Sequence, residues 1–323
     1  MIRETRNTAG GYMRKKTGIV LLCASLLMTG CGFGKSEIET GAQENITLKE
    51  EPETTVREEE QTEAENKVQS YTFLDVEGNS YEAELLENVP KCTYDFQYLS
   101  VDEETGYRSY TDEEKGIFSK TGIDVSEFQG ETIDWKQVKE SGIEFVIVRL
   151  GYRAYGETGA LVLDAMFDRN VQEALDAGLD VGVYFFSQAV SEEEAQEEAA
   201  FVLEHIRDYR IDGPVVFDTE EIKYDTARTD GNTKEQFTTF CKVFCDAVKQ
   251  EGYQAMIYAN MKWMAFTLDM EELAGYDFWY ADYYEEPQCP YDYKMWQYTE
   301  TGEVPGIHTS VDINLWFQEE KKQ

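Results

Sequence analysis

The sequence predicts an α/β fold, an irregular (β/α) TIM-like barrel with eight strands and fewer than eight outer helices. Three observations carry it. From Gly122 onward, short apolar runs alternate five times with longer stretches of helical period. After Asp277 three more strand-like runs follow with no helical stretch between them. The whole fits in about two hundred residues, fewer than the roughly 250 of a complete (β/α)8 barrel.

Ahead of the barrel the chain reads as three further segments. Residues 1–30 place Arg3, Arg6, Arg14, Lys15 and Lys16 before the apolar stretch "TGIVLLCASLLMTGC". That is the plan of an export signal, too short to span a membrane. Met13 followed by "RKK" is a tidier start, so the first twelve residues read as a misassigned upstream extension. "LMTGC" resembles the lipobox of bacterial lipoproteins, with Met28 where Leu is usual, and makes Cys31 the lipidation site. The expected location is the outer face of a bacterial membrane, with lipid at Cys31 as anchor, or outside the cell if the signal is only cleaved. Residues 31–70 hold eleven acids against four bases and, from Gly34 on, no aromatic residue. A segment so poor in apolar surface cannot offset its chain entropy and is expected to be a disordered acidic linker. Residues 71–120 form a short β-rich lead-in, with "YTFLDVEGNSYEAELL" alternating about a hairpin signal at "EGNS".

Residues 121–319 make the barrel. "GIDVSEFQG" precedes "IDWKQVKESG", and "FVIVRLGYR" precedes "LVLDAMFDRNVQEALDAG". "DVGVYFFSQA" precedes "SEEEAQEEAAFVLEHIRDYR", and "PVVFDTEEI" precedes "NTKEQFTTFCKVFCDAVKQEG". The fifth unit is "QAMIYAN" with "KWMAFTLDMEELAG". Ser191 with Glu194 reads as a capping box, and Gly142, Gly178 and Gly252 as helix stops. "DFWYADY", "YKMWQY" and "SVDINLWF" then follow, and their short connections favour antiparallel pairing in at least one place.

The chemistry gathers at strand ends. Asp218 and Glu220 are two apart and share a face at the end of the fourth strand. Glu221, one residue on, faces away. Asp124 closes the first strand and Asp312 sits in the last, and those two strands are neighbours in a closed barrel. Four carboxylates therefore converge on the C-terminal mouth, where barrel enzymes do chemistry, with no Lys or Arg motif to neutralise them. Crowded carboxylates cannot all ionise, so one pKa rises toward that of a general acid. Such a set suits glycosidic cleavage. Tyr184, Phe186, Tyr258, Trp279, Tyr283, Trp296 and Tyr298 lie at the same ends and offer flat faces for sugars, while Phe217 and Phe278 read as core.

The motifs "GIDVSEFQG", "IDW", "VIVRLGYR", "GVYFFS", "PVVFDTE", "MIYAN", "MWQY" and "VDIN" stand in one order over nearly all of Gly122 to Phe317. In that order they resemble the glycoside hydrolase family 25 lysozymes. The resemblance implies N-acetylmuramidase activity on peptidoglycan glycan strands, in an irregular barrel without metal. By motif, Glu220 matches the family's proton donor, Asp218 its partner, Asp124 the acid of the first strand and Asp312 the acid of the last. Tyr184 and Tyr258 match cleft tyrosines, and Gln297 and Tyr298 follow Trp296; Phe186 and Trp279 complete the candidate sugar-binding set. The resemblance also implies a substrate-assisted route in which the sugar's acetamido oxygen attacks and Asp218 steadies it, with inversion by an activated water left open. Asp282 stands where the family more often has a basic or neutral residue, which makes an acidic cleft rim the expectation.

Composition narrows the alternatives. A formal charge of -36 excludes a nucleic-acid partner, which needs surplus Lys and Arg. His205 and His308 lack the paired spacing of a zinc site and no C-x-x-C occurs, so no metal or other cofactor is expected. Cys241 and Cys245, one helical turn apart, read as buried thiols, whereas Cys92 and Cys289 are candidates for a bridge if the lead-in packs on the barrel. The expected protein is a monomer. Two other functions stay open at this point: a catalytically inactive cell-wall glycan-binding lipoprotein on the same fold, and an enzyme acting on another acetamido-sugar polymer.

Overall fold

The computed structural model describes residues 69–130, 132–223 and 225–320. The export signal, Cys31 and nearly all of the acidic linker lie outside the described residues.

Alternation of apolar and polar residues builds the first hairpin, β1 (Ser70–Leu74) and β2 (Ser80–Glu84). Its turn is closed by the Asp75 carboxylate, which accepts from the backbone N–H of Glu77 and Asn79, and by Gly78 at φ 84°. Strands β3 (Leu99–Val101) and β4 (Arg108–Asp112) lead antiparallel into β5 (Ile117–Val125). The hairpin with β4 starts β5 at Ile117, within the stretch assigned from sequence to the lead-in.

The remaining elements are α1 (Trp135–Glu140), β6 (Phe145–Arg153), β7 (Leu161–Leu163), α2 (Phe167–Asp176), β8 (Asp180–Phe186) and α3 (Glu192–Ile206). After them come β9 (Val215–Asp218), α4 (Lys234–Gln250), β10 (Ala255–Asn260), β11 (Asp277–Ala281), β12 (Met295–Gly302) and β13 (Val311–Glu319). Among the described residues eight strands close a barrel, in the order β5, β13, β12, β11, β10, β9, β8, β6 and back to β5. All run parallel except β13, which is antiparallel to both β12 and β5. The fold is the irregular barrel with few helices that the sequence predicts.

Strand alternation sorts the core into two layers. Phe145, Ile147, Val216, Met256, Trp279, Met295 and Trp316 fill the barrel interior. Val146, Val148, Phe217, Phe278 and Tyr280 face outward, in the larger core that also holds helix residues such as Phe167, Val202 and Phe244. Each such buried side chain contributes about 1.5–3 kcal/mol.

Two stretches depart from the helical reading. Leu161–Leu163 is a strand paired with the end of β6, and Gly151 permits it, since a Cβ there would lie 2.2 Å from the Val162 carbonyl oxygen. The fifth helix is only a five-residue π-helical turn, Trp263–Thr267. Leu268 is extended after it, and the Asp269 carboxylate takes the N–H groups of Glu271 and Glu272, a local competitor to helix. The box at Ser191 is also altered. Ser191 caps Glu194 N–H, but the Glu194 side chain reaches the N–H of Val190 instead of that of Ser191. Cys241 and Cys245 are buried thiols, and although the lead-in packs on the barrel, Cys92 and Cys289 are free, with Cys289 Sγ 3.7 Å from Met264 Sδ.

Candidate active site

The antiparallel β13 sets the site. Its pairing with β5 puts Asp312 directly opposite Asp124, two like charges in one cross-strand position. They relieve the conflict by holding a proton between them. Burial and the neighbouring Asp124 push Asp312 up to about 9, so the proton rests there at neutral pH. Burial also raises Asp124, but amide donors on Asn314 and Gln297, each 2.9 Å from its Oδ2, together with the Asp312 proton, favour its charged form.

Gln297 is the hub of this network. Its carbonyl accepts the hydroxyls of Tyr258 and Tyr283, both at 2.9 Å, and its amide donates to Asp124 at 2.9 Å and to Asp312 at 3.5 Å. Asn314 passes the order downward by accepting Trp279 Nε1–H at 2.8 Å. Every polar atom of the Gln297 amide group is thus committed, which locks its orientation.

Asp218 ends β9 in register with Tyr258 and Phe186. It is buried, and its Oδ1 has no hydrogen-bond partner among the described residues. Burial first, then the charges of Glu220 and Asp124, raise it well above the usual carboxylate range, while Arg149 opposes the rise. Glu220 lies two residues on and is half-buried. Burial, reinforced by Asp124 and Glu300 and opposed by Lys223, pushes it up to about 7. The four carboxyls titrate together and carry fewer than four charges at neutral pH.

Glu220 stands where two lobes of one cleft meet. The first lobe, about 450 Å³, is lined by Asp124, Asp218, Asp312, Tyr184 and Phe186 together with Phe128, Arg149, Tyr152 and Tyr155. The second, about 510 Å³, is lined by Tyr258, Tyr283, Asn260, Glu300 and Lys223, and by Leu74 to Glu77 of the first hairpin.

The structure brings together Glu220, Asp218, Asp124, Asp312, Tyr184, Phe186, Tyr258 and Gln297. Three candidates for sugar contact are corrected, the first being Gln297, which is 3% exposed, lines neither lobe and has its whole amide committed to Tyr258, Tyr283, Asp124 and Asp312. Trp279 is 2% exposed inside the barrel, edge-on to Tyr258 at 4.9 Å, where it supports the site from beneath. Tyr298 points to the outer face of β12, because alternation sends residues 295 and 297 inward and 296 and 298 outward. There Tyr298 and Trp296 pack on Arg108 of the lead-in. Asp282 lines the second lobe beside Glu300 and Glu77, so the rim is acidic as expected, although Asp282 itself is turned inward. That side chain is buried, accepts from Tyr280 Oη–H at 2.6 Å and Gln288 N–H at 2.8 Å, and organises its own loop. Glu221 is exposed, but it lies beyond the end of β9 at Asp218, where alternation no longer holds, and it lines the second lobe beside Glu220 instead of facing away.

Sequence reasoning missed Arg149, one of two arginines on the otherwise largely apolar β6, which does temper the acids. Its guanidinium is held by Asp164 at 2.7 Å and Glu127 at 2.9 Å and stacks near Phe128. Asn314 was also missed, although its place two residues after Asp312 was a usable signal. Among the described residues no group of three or more His, Cys, Asp or Glu could hold a metal ion.

Residues 123–307 match the profile of glycosyl hydrolases family 25. The chain belongs to that family. Its relatives include the uncharacterized protein YegX of Escherichia coli K12, 27% identical over 248 residues, covering 70% of this chain and 84% of YegX. Lysozyme M1 of Streptomyces globisporus is 28% identical over 203 residues, with 60% and 66% covered. The autolytic lysozyme of Clostridium acetobutylicum is 25% identical over 194 residues, with 60% and 54% covered. Among solved structures, the modular autolysin LytC of Streptococcus pneumoniae, in complex with a synthetic peptidoglycan ligand, aligns with a TM-score of 0.54 at 24% identity. The match covers 76% of this chain and spans little more than half, 56%, of LytC. A family 25 glycosyl hydrolase from Bacillus anthracis aligns at 0.51 and 19%, covering 67% of this chain and 94% of its own. These two alignments show the fold. Family membership makes the chain a glycoside hydrolase, and the cleft around Glu220 is the family 25 barrel's C-terminal mouth.

Proposed function

We propose that this family 25 hydrolase cleaves the β-1,4 bond between N-acetylmuramic acid and N-acetylglucosamine in peptidoglycan. The observation that carries the mechanism is the pairing of a carboxyl held near pH 7 at Glu220 with an acceptor lacking any partner at Asp218 Oδ1. Glu220, protonated, gives its proton to the glycosidic oxygen as the bond breaks. Asp218 Oδ1 accepts the N–H of the sugar's acetamido group, which turns the acetamido oxygen toward the anomeric carbon, and the positive charge that forms there draws Asp218 toward its charged form. Arg149 favours the charged form of Asp218. Asp124, whose charged form the Asn314 and Gln297 amides and the Asp312 carboxyl favour against its burial, lies in the same pocket. Tyr184, Phe186 and Tyr258 supply the faces for the sugar rings. The names of two relatives, an autolytic lysozyme and a lysozyme, support peptidoglycan as substrate.

The N-terminal signal and the lipobox at Cys31 support a protein held by lipid on the outer face of the membrane, with residues 31–70 as a stalk that lets the barrel reach the wall. Purified protein is expected to clear a peptidoglycan suspension and release muropeptides, and Glu220→Gln to abolish release while the fold persists. Intact walls with folded wild-type protein would remove the proposal. Metabolic labelling with a fatty acid, lost in Cys31→Ser, tests the anchor.

A further inference from the structure

The second lobe of the cleft has a wall that the family match does not contain. Leu74, Asp75, Val76 and Glu77 line it, and they precede the matched span, which begins at residue 123. Opposite them stand Glu220 and Lys223. The turn of the first hairpin is therefore part of the same cavity as the proton donor.

The barrel holds this turn in place from three sides. The Gln288 amide acts as a strand-like partner of Leu74, accepting its N–H at 2.8 Å and donating to its C=O at 3.0 Å. The Tyr284 hydroxyl donates to the Asp75 carbonyl at 3.0 Å. Lys223 Nζ meets Glu77 Oε1 at 2.9 Å, an ion pair that reaches across the lobe to the loop carrying Glu220. Phe73, one residue before the turn, is 2% exposed and stacks on Tyr81 at 5.4 Å, which fixes the hairpin's base. The turn shows apolar side chains to the lobe. Leu74 and Val76 are 38% and 49% exposed, so apolar surface and one ion pair face the space beside Glu220. The first lobe carries matching features, with Phe128 73% and Tyr155 42% exposed. Apolar faces with a few charged hydrogen-bonding groups are what a saccharide requires, since sugar C–H faces pack on apolar atoms while hydroxyls need donors and acceptors.

We propose that the β1–β2 hairpin is a specificity-determining part of the cleft, in which Val76 and the Glu77–Lys223 pair bind the glycan chain running past the cleaved bond on that side. This rests on the glycan-hydrolase reading of the site and assigns the lead-in a role in it. The hairpin selects long chains. A chain that fills the second lobe gains contacts with Val76, Glu77 and Lys223, whereas a short oligosaccharide that ends at Glu220 gains none.

The test is steady-state kinetics of the full-length protein on soluble uncross-linked glycan chains and on a short peptidoglycan oligosaccharide. Val76→Ser/Glu77→Ser is compared with Val101→Ser, an exposed lead-in position 59% accessible and outside both lobes. The double variant is expected to lose about tenfold in kcat/KM on long chains, carried by KM, and so to lower the ratio of long-chain to short-chain rates. Val101→Ser is expected to match wild type. An unchanged ratio in a folded double variant overturns the inference while leaving the hydrolase reading intact, and equal losses on long and short substrates overturn it too. Failure of the wild type to cleave either substrate removes the hydrolase reading and takes this inference with it.

Discussion

Gln297→Leu is the perturbation that probes the site's architecture most sharply. Leucine fits the volume but removes both the acceptor and the donors. Tyr258 is 8% exposed, so its largely buried hydroxyl loses a 2.9 Å acceptor, at a cost of about 1–3 kcal/mol. Asp124, 6% exposed, loses one of two amide donors that favour its charged form, worth about 1.5–3 kcal/mol for a hydrogen bond to a charged group. Tyr283 is half-buried and can turn to solvent, adding little. The expected loss is about 2.5–6 kcal/mol, a large share of the stability of an ordinary domain. Urea denaturation at pH 7 reads it as a shift in midpoint at constant slope. Tyr283→Phe serves as the control and is expected to cost under about 1 kcal/mol. A folded Gln297→Leu protein within about 1 kcal/mol of wild type would refute the view that this amide holds the acids in place.

Glu220→Gln is expected to lower kcat by about 10²–10⁴ without loss of folding, measured as muropeptide release beside a circular-dichroism melt. Because the acid must be protonated to act, wild-type kcat is expected to fall as pH rises through about 7, the value of Glu220 in the fold; a flat profile from pH 6 to 9 would contradict it. The same raised values of Glu220 and Asp312 dictate the stability profile. The folded state holds these protons more tightly than the unfolded chain, so their stabilisation is complete below the ordinary carboxylate pKa of about 4 and is lost as pH climbs through about 7 and about 9. Thermal melts from pH 4 to 9 are expected to show that decline, with a shallower slope in Asp312→Asn. Arg149→Met leaves Asp164, whose side chain is fully buried, without its ionic partner and is expected to cost about 3–5 kcal/mol by denaturant titration.

The barrel was legible in the sequence because its strands are long apolar runs and four of its helices carry a clear period. What escaped is local. "LVLDAMF" has helical spacing, but the missing side chain at Gly151 lets Val162 pair with β6, a contact that no window of sequence contains. "KWMAFTLDM" likewise reads as a helix, and only the Asp269 side chain taking two backbone N–H groups ends it. Within the site, position at strand ends located the four acids, since alternation and barrel closure depend on few variables. Alternation would also have separated Gln297 from Tyr298 had it been applied to "MWQY" as it was to "FDTEE". Arg149 stood in "VIVRLGYR", but its burial and its Asp164 and Glu127 partners come from distant parts of the chain and were not readable there. The cleft wall built by residues 74–77 was not legible at all, because it depends on how a hairpin from outside the barrel lies against the loop after Glu220.

The most direct test of the central claim is mass spectrometry of peptidoglycan digested by the purified protein. Cleavage as proposed yields fragments whose reducing ends are N-acetylmuramic acid, and Glu220→Gln yields none. Fragments ending in N-acetylglucosamine, or undigested glycan in the presence of folded wild-type protein, would contradict it.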